Sequence, residues 1–148
     1  MKKMSRPIRK VNAYVVGFDV HARQMTYCML DRRGEEVASG ALRADAAALD
    51  AFCREHIGRK KAHFALEASG YSLWIYDWLC QRYATERVHL ASAKKIRTIA
   101  NSRRKNDAND AYWLAHYAHE GRLPEAWVPT GKRRELRTGT RCRRWAVS

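Results

Sequence analysis

Four acidic side chains stand at spacings that suit phosphodiester chemistry. Asp107 and Asp110 lie three positions apart, directly after the basic run Arg103-Arg104-Lys105 and at the start of a stretch with helical apolar spacing. Positions i and i+3 of a helix are neighbours on one face, so both carboxylates can point the same way. Two close carboxylates resist joint ionisation. A divalent cation removes that conflict, and such cations hold and polarise a phosphate. Asp19 closes the apolar run Tyr14-Val15-Val16-Gly17-Phe18, and Glu67 closes Ala62-His63-Phe64-Ala65-Leu66. An acid at the end of a buried strand is uncommon unless it is paired or bound to metal. Each acid also has a plainer reading. Asp19 suits a strand-end turn and Glu67 a loop beside Gly70. Asp107 suits a helix N-cap, and Asp110 suits a first helical turn, where the dipole favours negative charge. Their combination favours one shared site, and an all-oxygen donor set selects a hard cation such as Mg²⁺.

The elements needed to gather these residues can be read along the chain. Residues 14–20, 24–30 and 35–40 read as three strands with tight turns, Gly34 supplying a positive φ in the second turn. Residues 44–57 have helical spacing, closed by Gly58. Residues 62–67 form a fourth strand and residues 87–91 a fifth. Between them residues 71–84 form an aromatic helix. Its Trp74, Tyr76, Trp78 and Tyr83 are expected to pack in the core rather than to stack nucleobases, because the helix is apolar almost all round. Ser92 is placed to cap a basic helix through Ile99, and a last helix runs from about Ala108 to Glu120. Leu123 to Pro129 is an extended connector restricted by its prolines. This is an α/β layout. If the first and fourth strands lie side by side, Asp19, Glu67, Asp107 and Asp110 meet at one edge of the sheet, where ligands of open α/β sheets bind.

Composition points to the partner. The 148 residues suit one domain with a real core. Lys and Arg number 29 against 15 Asp and Glu, a net charge of +14 that favours a polyanion such as DNA or RNA. The excess is uneven. Residues 13–91 carry ten basic and ten acidic groups, residues 1–12 five basic and none acidic, and residues 131–148 seven against one. A neutral body with basic extensions lays its arms on phosphates. Lys94, Lys95, Arg97, Arg103, Arg104 and Lys105 are the candidate phosphate contacts. Cys28, Cys53, Cys80 and Cys142 show no C-x-x-C pairing, and no secretory signal or membrane-length apolar run is present. Reduced thiols and a cytoplasmic location are expected. His116 and His119 are three apart on a helix but lack a third ligand at zinc spacing, so a solvated helix face is the expected reading.

Three segments, taken together, resemble a known family. Gly17-Phe18-Asp19-Val20, Glu67-Ala68-Ser69-Gly70-Tyr71 and Lys105-Asn106-Asp107-Ala108-Asn109-Asp110-Ala111 are similar to the motifs of DEDD-type insertion-sequence transposases. Gly121-Arg122-Leu123-Pro124 and Glu135-Leu136-Arg137 also look like the family, so the resemblance runs from Val15 to about Arg144. It implies a ribonuclease-H-like fold similar to the RuvC Holliday-junction resolvase. It implies that Asp19, Glu67, Asp107 and Asp110 coordinate Mg²⁺ and act in joining element ends to target DNA, directed by a structured bridge RNA, in an oligomer. On this reading residues 1–12 are a basic arm, 13–121 the RuvC-like catalytic domain, and 122–148 a connector and the start of a basic helix.

The sequence departs from the family pattern in places. Asn106 stands where Thr is usual, and His21 where a small polar residue is common. Family members carry a C-terminal domain with a serine nucleophile, and this chain ends at Ser148, about where the segment leading to it begins. Thr138 to Ser148 drifts from the expected helix, and Gly139 is costly inside one. A truncated copy, incomplete for transposition on its own, is the expectation. Ser69, Ser72, Ser92 and Ser102 read as turn or capping residues, not nucleophiles. Two other functions fit the same residues: a stand-alone metal-dependent junction nuclease, and a non-catalytic DNA- or RNA-binding remnant.

Overall fold

A computed structural model describes residues 10–92 and 107–126, with the backbone alone at 107–109. Five strands form one mixed sheet: β1 (Tyr14–Val20), β2 (Gln24–Leu30), β3 (Glu36–Arg43), β4 (Ala62–Glu67) and β5 (Val88–Ala91). Their spatial order is β3-β2-β1-β4-β5. β1, β2 and β3 pair antiparallel as a meander, whereas β4 runs parallel to β1 and β5 parallel to β4. The helices are α1 (Ala46–Phe52), α2 (Leu73–Arg82) and α3 (Asp107–His119). This is the ribonuclease-H-like arrangement that the motifs led one to expect.

Alternation along the central strands sends side chains into two cores. Val16 and Phe18 of β1 and Phe64 and Leu66 of β4 join Leu49 and Phe52 of α1 and Ile75 and Leu79 of α2 on one face. Val15 and Ala65 join Ala111, Leu114, Ala115 and Ala118 of α3 on the other. Strands buried on both faces read as continuous apolar runs, which is why β1 and β4 are visible in the sequence.

α3 lies directly on the backbone of β1. A Cβ built on Gly17 would stand 2.1 Å from the carbonyl oxygen of Ala111 and 2.7 Å from the amide nitrogen of Ala115. The helix runs antiparallel to β1: Ala111 sits at Gly17, and the His119 carbonyl accepts the Val11 N–H at 2.8 Å. Its first turn therefore lies at the carboxyl ends of β1 and β4.

Several expectations need correction. The helix of residues 44–57 is two pieces: α1, capped by Asp45 on the Ala48 N–H at 2.8 Å, then a π-helical turn, Cys53–Ile57. Gly58 ends it at φ 54°, donating to the Cys53 carbonyl. β3 runs to Arg43, beyond Gly40, because β2 offers it partners as far as Gln24. The connector is not merely extended. Glu125 bridges Ala91, and the Ser92 and Ala126 amides donate to the Pro124 and Leu90 carbonyls, so it adds to the β5 edge. His119 is buried, not solvated. Its Nε2 lies 3.1 Å from the Arg32 carbonyl, and its ring packs against Gly34, whose φ is 88°. Cys28, Cys53 and Cys80 are free thiols. Among the described residues no helix is long and apolar enough to cross a membrane. Lys94, Lys95, Arg97, Arg103, Arg104, Lys105, Cys142, the helix predicted after Ser92, most of the basic arm and the chain after Ala126 lie outside the described residues.

The added segment is tied to the sheet by a chain of side chains. His89 Nδ1 lies 2.8 Å from the Glu125 carboxylate, and His89 Nε2 lies 2.9 Å from His63 Nδ1. A carboxylate only accepts, so His89 donates through Nδ1; neutral His89 then accepts at Nε2 from the His63 Nδ1–H. Burial, with His89, Lys61 and Arg87 nearby, pushes His63 down from 6.5 to about 4.

Two outcomes follow from this packing. Gly17→Ala forces backbone apart and is expected to cost about 3 kcal/mol. The midpoint of thermal unfolding should fall by roughly 10 °C. The second concerns pH. Between about 4 and 6.5 the unfolded chain protonates His63 while the folded chain does not, so the unfolded state binds more protons there. The His63 contribution is whole above about 6.5 and is lost as pH falls towards about 4. An NMR titration should place the His63 midpoint near the lower value. His63→Phe should flatten the urea-midpoint profile over that window.

Candidate metal and nucleic-acid site at the sheet edge

The residues of the site come from three elements that end at one place. Phe18 of β1 is paired with Leu66 of β4. One step further puts Asp19 beside Glu67, with strands spaced about 4.8 Å apart. Both residues share strand parity with Gly17 and Ala65, so both lie on the face that carries α3. α3 contributes the remaining pair. Asp110 immediately precedes Ala111, the residue seated on Gly17. Asp107 opens the helix one turn before Ala111, or about 6 Å along the axis. The backbone of the first turn of α3, which carries Asp107 and Asp110, thus lies by the strand ends that carry Asp19 and Glu67.

The surroundings of Asp19 are the best defined. It is only 8% exposed. Its Oδ2 lies 3.1 Å from Nε2 of His21, in the turn that follows β1. Directly opposite on β2 is Thr26, whose hydroxyl is buried and makes no hydrogen bond among the described residues. Directly opposed residues of an antiparallel pair project from the same face. A buried, unbonded hydroxyl is costly, and beside a carboxylate it is one more oxygen donor. Glu67 and Asp110 are half-buried, and each has a partner of its own.

The donor chemistry fits a hard cation, since every member offers oxygen. As the side chains stand, no three His, Cys, Asp or Glu among the described residues converge closely enough to hold a metal ion. The side chain of Asp107 is outside that set. The structure therefore places the backbones of Asp19, Glu67 and Asp110 at one sheet edge, without showing their carboxylates as a ligand cluster.

One feature of this edge, and one of the segment after β4, escape a reading of the sequence. Thr26 is an ordinary strand residue until the β1–β2 register sets it across from Asp19. Tyr71 and Trp74, in the loop after β4 and the first turn of α2, are 47% and 37% exposed, so Trp74 does not join the core as expected of the aromatic helix. Tyr76 of the same helix is buried, and Trp78 and Tyr83 pack against the core. The helical period could have separated them, because Ile75, Tyr76 and Leu79 claim the buried face.

No curated protein matches the sequence. A profile of the transposase family DEDD_Tnp_IS110 matches residues 16–148, which takes in β1 from Val16 onward, the other four described strands, all three described helices and all four acids. With a ribonuclease-H-like sheet carrying acids at the ends of its first and fourth strands and at the start of its last described helix, the chain belongs to the DEDD transposase family.

Proposed function

We propose that this chain is the catalytic domain of a DNA recombinase, and that Asp19, Glu67, Asp107 and Asp110 hold Mg²⁺ and act on a DNA phosphodiester during transposition of an insertion sequence. The observation that carries this reading is the contact of α3 with Gly17, which brings the first turn of the helix over the ends of β1 and β4. When bound, Mg²⁺ supplies a Lewis acid and a template for the phosphate. The residues do the rest. Asp19 and Glu67 form the floor, with His21 orienting the Asp19 carboxylate and Thr26 offering a further oxygen. Asp107 and Asp110 close the site from the helix. Lys94, Lys95, Arg97, Arg103, Arg104 and Lys105 precede α3 in the chain and serve as phosphate contacts that hold the strand. A structured guide RNA and assembly into an oligomer belong to the same proposal, and the reaction takes place in the cytoplasm.

A second reading has one observation in its favour. The described carboxylates do not converge on a shared point, which suits a domain that binds nucleic acid without cutting it. Such a domain binds with strong salt dependence, and its binding survives loss of all four acids.

Mg²⁺ titration of the full chain, followed by calorimetry, separates the two. Asp19→Asn and Asp110→Asn should each weaken Mg²⁺ at least tenfold and reduce cleavage of branched or element-end DNA roughly hundredfold, the scale on which losing even an outer-sphere partner is felt. Unchanged Mg²⁺ affinity in both variants would overturn the metal site and leave the binding reading standing.

A further inference from the structure

The two edges of the sheet are finished differently. At the β5 edge the connector is laid alongside, with Glu125 bridging Ala91 and the Ala126 N–H donating to the Leu90 carbonyl at 2.7 Å. At the other edge stands β3, and among the described residues no strand pairs with its outer side. The β2–β3 register settles which backbone groups it leaves open. The Ala44 N–H donates to the Arg23 carbonyl at 3.0 Å, so Ala44 turns its backbone towards β2. Alternation then turns Leu42, Gly40 and Ala38 inward, and Arg43, Ala41 and Ser39 outward. An open strand edge is a template for another strand, and proteins usually blunt it with Lys, Pro or an inward-pointing charge. β3 has none of these between Glu36 and Arg43. Its one irregularity lies opposite Met29 and Leu30, at the far end from Arg43, and leaves residues 38–43 regular.

The strand is complementary to its own copy. Laid antiparallel about a two-fold axis at Gly40, Ser39 meets the partner's Ala41, Ala38 meets the partner's Leu42, and Arg43 meets the partner's Val37. Paired positions of equal parity bring outward-facing N–H and carbonyl groups onto one another, and they keep like faces of the two sheets together. Ser39 and Ala41 are small and exposed, so no side chain obstructs the approach. Val37 is 53% exposed, and the aliphatic stem of the partner's Arg43 would cover it. Glu36 stands next to Val37, so the acid at one end of each strand faces the base at the other end of its partner, twice per pair. Glu36 accepts the Cys28 thiol at 3.2 Å through one oxygen only. Arg43 pairs with Asp45 at 3.3 Å, both well exposed, a contact weak enough to be exchanged.

We propose that β3 is the surface through which two copies of this chain associate, edge to edge, joining their two five-stranded sheets into one. The occupant is a second copy because the strand carries opposite charges at its two ends and small side chains between them, a pattern that an antiparallel copy matches at both ends at once. The proposal rests on the oligomer named under the function above and adds the surface that makes it. The two-fold axis stands normal to the sheet, so both α3 helices, and with them both candidate acid edges, lie on one face of the joined sheet. A single strand pair is a small interface, below roughly 1,200 Å², so association of roughly micromolar strength is expected.

The test is sedimentation equilibrium over a concentration series, with the nuclease-treated full chain in chelator, so that neither metal nor nucleic acid takes part. Ala41→Pro removes an outward-facing N–H and leaves the ladder to β2 intact, and Ala41→Lys sets a charge on the open edge. Each should weaken the dimer about tenfold or more, since the proline takes two donors from every pair, while circular dichroism stays that of the wild type. Arg43→Glu should weaken it as well. Adding Glu36→Arg to Arg43→Glu should restore it, and Arg59→Glu, the same change of charge on an exposed turn, should leave it unaltered. A dimer of wild-type strength in both Ala41 variants would overturn the proposal and leave the oligomer to another surface. A charge-swapped chain no stronger than Arg43→Glu would overturn the register. A wild-type chain that stays monomeric at roughly 100 μM would overturn both this surface and the oligomer reading for this chain, and the Mg²⁺ titration above is independent of either.

Discussion

The contact between α3 and β1 governs the rest of the molecule. It is a contact of backbone on backbone, made possible by the missing side chain at Gly17 and the small ones at Ala111 and Ala115. Most helices ride on a sheet about 10 Å above it, cushioned by a layer of large side chains. Here that layer is absent at the crossing point, so the helix has little room to slide or tilt. Its first turn is thereby held over two strand ends that carry acids. Interiors are close-packed, and a helix seated this way transmits position rather than absorbing it.

The electrostatics follow from that placement. Residues 13–91, which build all five strands and carry two of the acids, are balanced in charge, while the surplus lies at the termini and before α3. A carboxylate-rich edge on a neutral body can concentrate cations without repelling the rest of the fold. In the proposed function the basic residues adjoining it in the chain hold the phosphates that acids alone would reject. The His21 imidazole bears on Asp19, and Thr26 stands across from it on β2, so Asp19 is the acid whose surroundings are best defined.

Much of the scaffold was readable in advance. β1, β2 and β4 begin and end where the apolar runs do, and α3 fills nearly the span that its stripe of Ala111, Leu114, Ala115 and Ala118 marks out. What escaped reading has a common cause. The extension of β3 to Arg43 and the pairing of Glu125 with Ala91 each depend on a partner elsewhere in the chain. The burial of His119 against Gly34 is of the same kind, because a histidine at helical spacing carries no mark of whether a turn from another hairpin will cover it. Local periodicity describes which side of an element is apolar, not what arrives to cover it.

Taken alone, the amino-acid order determined the inventory of this protein: short buried strands ending in Asp19 and Glu67, a helix opened by Asp107 and Asp110, and positive charge outside the body. Those are local properties, set by side-chain type and by periods of 2 and 3.6 residues. Only the tertiary structure decided that β1 and β4 lie parallel and adjacent, that Gly17 is the seat of α3, that Thr26 stands across from Asp19, and that Trp74 is left exposed. Proximity between residues dozens of positions apart arises from packing, which depends on the summed fit of many side chains and is written in no single stretch of the chain.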